Sequence, residues 1–183
     1  MKEISLHILD IMQNSIAAGA TLVELTVTEN EQDDLLVFTV SDNGKGMSKE
    51  LLLAVTDPFT TGRTTRKVGL GIPLLKQACE MTGGKITISS QEGVGTELVA
   101  EFGLSHIDRQ PLGDMVQTVH QLIISYEQVD FLYTHIVNGN EFNLDTREIK
   151  KVLGPVSLKE NEVSLWLLEY LKEGEAEIGT ERK

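Results

Sequence analysis

Six short segments with alternating apolar and polar residues come as three neighbouring pairs, and this pairing most constrains how the chain can fold. Residues 21–29 and 35–41 flank the polar stretch 30–34. Residues 85–90 and 96–102 flank a turn around Gly93 and Gly95, and residues 130–137 and 141–144 flank Asn138-Gly139. Alternation with period two puts every second side chain on one face, as a half-buried strand requires. Asn-Gly suits a tight hairpin turn, because both central residues of that turn need positive φ. Each pair therefore reads as two strands joined directly.

Helical periodicity fills the spaces between the pairs. Over residues 3–18, Ile4, Ile8, Ile11, Met12 and Ser15 cluster on one side. His7, Asp10 and Asn14 fall on one narrow edge, a turn apart each, and Gly19 stops the helix. A short helix is predicted over 48–55. Another opens at Ile72, with Pro73 early in it and Gly83-Gly84 closing it. Amphipathic helices follow over 112–125 and 158–171, and Asp145 can cap a third that runs to Leu153. Residues 57–67 are polar and threonine-rich and read as a loop. Residues 173–183 read as an acidic flexible tail.

The chain has 183 residues and a net charge of −12. That balance argues against non-specific binding to nucleic acid or to an anionic membrane. The acidic excess divides evenly between the two halves, so charge marks no boundary. A single cysteine, Cys79, excludes a disulfide framework and a cysteine-rich metal site. The N-terminal segment has an apolar flavour, but His7, Asp10, Gln13 and Asn14 interrupt it, so it does not read as a signal peptide. No apolar run reaches the roughly 18 residues of a membrane span. The expectation is a cytoplasmic protein.

Four segments carry the candidate chemistry. No G-x-x-x-x-G-K-[ST] occurs, so this is not a P-loop protein. On the first helix, the amide of Asn14 suits a magnesium ion that keeps waters and also takes phosphate oxygens. Asp10, one turn earlier, could accept a proton from an attacking water or hydroxyl. A solvated helix face is the plainer alternative. Asp42-x-Gly44-x-Gly46 ends a strand: its carboxylate can accept an adenine amino hydrogen, and its glycines allow close backbone approach. An ordinary Asp-Gly turn fits it too. Gly69-Leu70-Gly71 opens a helix whose free N–H groups favour phosphate, although any helix-opening turn could look the same. Gly93-x-Gly95-Thr96 adds a hydroxyl, or is merely a hairpin.

Taken in order, these segments resemble the GHKL (Bergerat-fold) ATPase family. The run from Asp10 to Ala20, with Asn14-Ser15 inside it, looks most like MutL. Val68-Gly69-Leu70-Gly71-Ile72, with Gly83-Gly84-Lys85 and Gly93-Val94-Gly95-Thr96-Glu97, looks more like sensor histidine kinases. The resemblance covers residues 3–103. It implies an α+β two-layer sandwich, a mixed sheet with helices on one face. ATP would bind beneath a lid at 57–68. It further implies that Asn14 ligates Mg2+ and Asp42 reads adenine. Gly44 and Gly46 would shape the base pocket, Gly69, Leu70 and Gly71 would hold phosphates, and Thr96 would support the adenine contact. Arg63, Arg66 or Lys67 would reach the γ-phosphate.

The departures bear on activity. Histidine kinases often carry Asn and Lys where this chain has Asp10 and Ala17. Hydrolytic members and protein-serine kinases of the family carry a carboxylate at the earlier position, usually Glu, so Asp10 is the candidate base. His7 is one turn from Asp10 and reads as a surface histidine, or as a group that orients it. His106-Ile107-Asp108-Arg109-Gln110-Pro111-Leu112 resembles a phospho-acceptor box with its acid displaced by one residue, and a connector is the competing reading. The expected organisation is an ATP-binding domain at 1–103, a small α/β appendage at 104–172 and the tail. Residues 129–144 extend the sheet, pair with another copy or form a separate lobe. Three activities stay open: a stand-alone ATPase or ATP-gated switch, a protein kinase, or an anti-sigma-like module binding a partner. The expected partners are ATP or ADP and a protein partner or substrate. No nucleic acid or membrane is expected, and a homodimer is left open.

Overall fold

The computed structural model describes residues 2–56 and 71–179. The elements are α1 (Ile4–Ala17), β1 (Leu22–Asn30), β2 (Leu35–Asp42), α2 (Lys49–Thr56), α3 (Gly71–Glu80), β3 (Lys85–Gln91) and β4 (Gly95–Gly103). They continue with α4 (Met115–Ser125), β5 (Asp130–Val137), β6 (Asn140–Asp145), α5 (Thr146–Leu153) and α6 (Asn161–Glu177). Each predicted neighbour pair is an antiparallel hairpin. At the third turn, Asn138 and Gly139 have φ of 48° and 85°, as a tight Asn-Gly turn demands.

The hairpins join into a six-stranded sheet of order β3-β4-β2-β1-β5-β6. Every neighbouring pair is antiparallel except β1 with β5, so the sheet is mixed. Residues 130–144 thus extend the sheet beside its first strand. One face is apolar, carrying Val23, Leu25 and Val27, then Leu36, Phe38 and Val40, then Leu98, Ala100 and Phe102, then Phe131 and Tyr133. Helices α1, α3, α4 and α6 pack over it. On the other face Thr26, Thr28 and Thr39 remain half-buried. The result is the expected α+β sandwich, and a single hydrophobic core runs through it from Ile4 to Ile178.

Two expectations need correction. Residues 173–177, read as flexible tail, are the last part of α6. Gly174 faces Phe142 so closely that a β-carbon there would lie 2.1 Å from its ring, and Glu175 is buried against the sheet. Composition suggested disorder, and two tertiary contacts override it. His7, read as a surface histidine, is buried. The segment around His106, for which a connector was one reading, forms turns, and Ile107 is open to solvent. Lys67, Gly69 and Leu70, with Arg63, Arg66 and the proposed lid, lie outside the described residues.

Candidate functional site

The Asp42 segment sits where three elements meet. β2 ends at Asp42, which pairs with Val23 of β1 on one side and Thr96 of β4 on the other. Both carboxylate oxygens of Asp42 are held. Gly44 N–H donates to Oδ1 at 2.8 Å, and the Ser15 hydroxyl, from the buried side of α1, donates to Oδ2 at 2.6 Å. A carboxylate accepts about four hydrogen bonds, so acceptor capacity remains on both oxygens in a fixed orientation. Asn43 staples the turn in place. Its Oδ1 accepts from the N–H groups of Thr21 and Leu22, and its Nδ2 donates to Thr21 Oγ1.

The glycines here are demanded by packing. Gly44 lies against the end of α1, where a β-carbon would come 2.9 Å from the Ala18 carbonyl oxygen. The next residue, Lys45, donates its N–H to that same oxygen at 2.9 Å. Gly46 has φ of 69°, and a β-carbon there would sit 2.0 Å from the Gln91 carbonyl. The loop is thereby pressed onto the β3–β4 hairpin. Gly93 N–H donates to Lys45 O at 2.7 Å, and Met47 N–H donates to Ser90 Oγ at 2.8 Å. Ser90 Oγ also lies 3.1 Å from Gly95 O, to which it donates, and 2.8 Å from Thr96 Oγ1. A hydroxyl has one proton, so the Thr96 hydroxyl donates to Ser90 and keeps its lone pairs free to accept. An open cleft of about 340 Å³ lies beside these groups, lined by Asp42, Ser90, Gln91 and Thr96 among others.

α1 supplies the second edge of the site. Ser15 is buried beneath Asp42, while the adjacent Asn14 is exposed and Asp10, one turn earlier, is half-buried. Asp10 leans onto the start of α3: a β-carbon at Gly71 would meet Asp10 Oδ2 at 1.9 Å. The fold therefore gathers Asp10, Asn14, Asp42, Gly44, Gly46, Gly71 and Thr96 around α1 and the ends of β2 and β4. Ser15, Asn43 and Ser90 belong to the same constellation and were not singled out from sequence. Ser15 had been visible only as part of the apolar arc, whose buried position lets its hydroxyl reach β2.

His7 is not a surface residue. It is 2 % exposed, and its Nε2 pairs with Gln110 Oε1 at 3.1 Å. Burial lowers its pKa below the usual histidine value, against the raising effect of the Gln110 bond, which favours the neutral ring. The connector running to α4 covers this part of α1: Ile4 and Ser5 donate their N–H groups to the carbonyls of Pro111 and Leu112. His7 thus anchors the connector rather than orienting Asp10. A cavity of about 1010 Å³ lies at the opposite end of β1, walled by Glu29, Arg109, His135 and Glu175 among others. It is separate from the Asp42 constellation. Among the described residues no helix is long and apolar enough to cross a membrane.

The family model for histidine kinase-, DNA gyrase B-, and HSP90-like ATPases matches residues 2–106. Sporulation kinase D of Bacillus subtilis is 32% identical over 98 residues, which are 54% of this chain and 19% of that protein. The non-motile and phage-resistance protein of Caulobacter vibrioides is 30% identical over 118 residues, 60% of this chain and 14% of that protein. The chain thus spans less than a fifth of either relative. Among solved structures, the MutL ATPase domain of Aquifex aeolicus in complex with ADP superposes with a TM-score of 0.51 at 15% identity, covering 94% of this chain and 70% of that one. The N-terminal domain of a DNA repair protein gives a TM-score of 0.57 at 14% identity, over 85% of this chain and 58% of that one. Those two likenesses concern the fold; the sequence match over more than half the chain carries the assignment. The chain belongs to the histidine kinase-, DNA gyrase B- and HSP90-like ATPase family.

Proposed function

We propose that this protein binds ATP with magnesium and acts as an ATPase or ATP-gated switch. The observation that carries the reading is the fixed carboxylate of Asp42, held by Ser15 and Gly44 with the Thr96 hydroxyl across the strand pair. An acceptor-only group in a set orientation suits an adenine amino group, which donates, and not the carbonyl that guanine presents there. Gly44 and Gly46 would shape the base pocket by letting their loop press against the end of α1 and the β3–β4 hairpin, and Gly69, Leu70 and Gly71 would hold phosphates.

The donor chemistry on α1 suits magnesium. Among the described residues no group of three or more His, Cys, Asp or Glu side chains could hold a metal ion. An all-protein cage is therefore not what the site offers. An exposed amide oxygen at Asn14, completed by waters and phosphate oxygens, is the coordination magnesium prefers. Bound there, the ion would neutralise phosphate charge. Asp10 is the candidate base. It would take the proton as a water oxygen attacks the γ-phosphorus and the bond to the ADP oxygen breaks. Lys67 would reach the γ-phosphate. A protein partner or substrate and a cytoplasmic location complete the reading, with a homodimer left open; residues 104–172, which share the sheet and core with 1–103, would supply part of the partner surface.

A second reading is protein kinase activity, favoured by the similarity to Sporulation kinase D. Incubation with γ-labelled ATP and magnesium separates the two, following both free phosphate and label on protein. Free phosphate that disappears in Asp10→Asn supports the ATPase. Label transferred to protein supports the kinase. Bound nucleotide with neither product leaves an anti-sigma-like switch. A protein that binds no nucleotide at all overturns the proposal.

A further inference from the structure

β6 ends the sheet on one side, and among the described residues β5 is its only partner strand. In an antiparallel pair only alternate residues exchange backbone bonds with the neighbour. Val137 and Asn140 close the two-residue turn and form such a bonded pair. Phe142 and Leu144 therefore bond back to β5, while Glu141 and Asn143 point their N–H and C=O groups outward. Their side chains stand exposed on the face opposite Phe142. On the helix-bearing face an aromatic shelf overhangs the same edge. Phe142 is buried beneath α6, Tyr170 lies against it with ring centres 5.6 Å apart, and Trp166 stacks on Tyr170 at 5.3 Å. Ser164 bonds His120 of α4, and Trp166, two residues on, lies about 200° round the helix from it. Trp166 and Tyr170 are thus turned away from α4 toward the open edge, where they are 49% and 39% exposed. An unpaired strand edge beside an uncovered aromatic pair is a template for a further strand.

We infer that this edge is a docking site for an extended segment of another protein, in which basic residues alternate with apolar ones and which joins the sheet beside β6. The outward backbone groups of Glu141 and Asn143 bond the added strand, and its apolar side chains cover Tyr170 and Trp166. Charge chooses the occupant. Glu141 stands exposed on one face of the edge, and Glu162, Glu169 and Glu173 are exposed on α6 near Trp166. A lysine or arginine of the added strand meets a carboxylate there, and the uncovered side of the Trp166 ring suits the same cation. A second copy of this chain fits poorly. Pairing β6 with itself about Asn143 sets Glu141 opposite Asp145, and it brings two acidic helix flanks together. The inference gives the expected protein partner a place and a chemistry, and it does not depend on the nucleotide site.

Trp166 is the only tryptophan in the chain, so its fluorescence reports directly on the shelf. The full chain, without nucleotide, is titrated with a short synthetic peptide that alternates lysine and valine. Two further peptides serve as controls: the same residues in two blocks, and the alternating sequence with glutamate in place of lysine. The expected result is a saturable change in Trp166 emission with the alternating lysine peptide alone. Asn143→Pro should weaken that binding about tenfold, the worth of a lost backbone hydrogen bond. Proline at that position removes an outward N–H and leaves the bonds from Phe142 and Leu144 to β5 in place, and a melting curve checks that the fold persists. Glu141→Lys, at an exposed side chain, tests the charge without touching the backbone and should weaken binding several-fold. No response to the alternating lysine peptide overturns the inference. An equal response to the block peptide also overturns it, because charge alone would then suffice, and so does an equal response to the glutamate peptide. Undiminished affinity in Glu141→Lys or in a folded Asn143→Pro does the same. A chain that sediments as a dimer, and as a monomer once Asn143→Pro is made, would put a second copy on the edge and overturn it as well.

Discussion

Ser15 directs its hydroxyl at Asp42 from inside the helix–sheet interface, where it is 5 % exposed. Such a bond fixes a rotamer as much as it adds energy, since the net worth of a hydrogen bond to a charged group is about 1.5–3 kcal/mol. Ser15→Ala should therefore weaken ATP binding several-fold while lowering stability by about 1–2 kcal/mol, read by calorimetry and urea unfolding. An affinity unchanged beside a lowered stability would mean that Asp42 needs no positioning. Asn14→Ala tests the neighbouring side chain. It is exposed, so the fold should persist, and magnesium-dependent ATP binding should disappear; binding that survives in the presence of EDTA and in the variant alike would remove Asn14 from the site. Residue by residue, Asp42, Gly44, Gly46 and Thr96 were singled out as candidates because their types and spacing are local. Ser15, Asn43 and Ser90 were not. A serine 27 positions from its carboxylate partner leaves no local signature, and His7 was misread because the group that covers it lies 103 positions away.

Among the elements, α6 depends most on a buried polar contact. Its Glu175 accepts from the Tyr133 hydroxyl and pairs through Oε2 with His135 Nδ1 at 2.8 Å, while His135 Nε2 reaches Glu29 on β1 at 2.9 Å. His135 is wholly buried, and β1, β5 and α6 are tied through its ring. Burial lowers its pKa, but the hydrogen bonds to Glu175 and Glu29 outweigh burial and raise it to about 9. The folded protein thus binds the proton more tightly than the unfolded chain. The contribution is full below about pH 6.5 and is lost as pH rises through about 9. Urea midpoints measured from pH 6 to pH 10 should fall across that window, and His135→Gln should flatten the profile. A parallel fall in the variant would assign the effect to other groups. Glu175→Ala removes one of the two carboxylates that hold the buried imidazolium, leaving only Glu29, and should cost about 3 kcal/mol. None of this was legible in the run Glu173-Gly174-Glu175, whose composition matches a solvated tail. The partners that bury it, Phe142 and His135, belong to a hairpin thirty or more residues earlier.

For the molecule as a whole, the sheet and the family match divide the chain differently. The match ends at residue 106, whereas the sheet continues through β5 and β6 and the core runs on into α6. A chain cut after Gly103 would leave β1 as a bare edge and uncover the apolar faces that α4 and α6 protect. It should lack a cooperative melting transition and should aggregate, as followed by circular dichroism and light scattering. A monomeric fragment with a sharp transition would establish residues 1–103 as an independent domain. The hairpins were legible because a turn and two alternating segments suffice to specify them. That residues 129–144 extend the sheet was one of three alternatives, and their parallel pairing with β1 was not foreseen, because no local pattern records which distant strand an edge will accept.

That pairing also imposes an order in time. β5 docks beside the first strand of the sheet rather than the last. A ribosome must add on the order of 100 residues after β1 before β5 exists, which takes about 5–20 s at ordinary elongation rates. Throughout that interval the backbone of β1 is unpaired along one side. On a polysome, where identical nascent chains hang side by side, chaperone occupancy of residues 22–30 during synthesis would decide the yield of native protein.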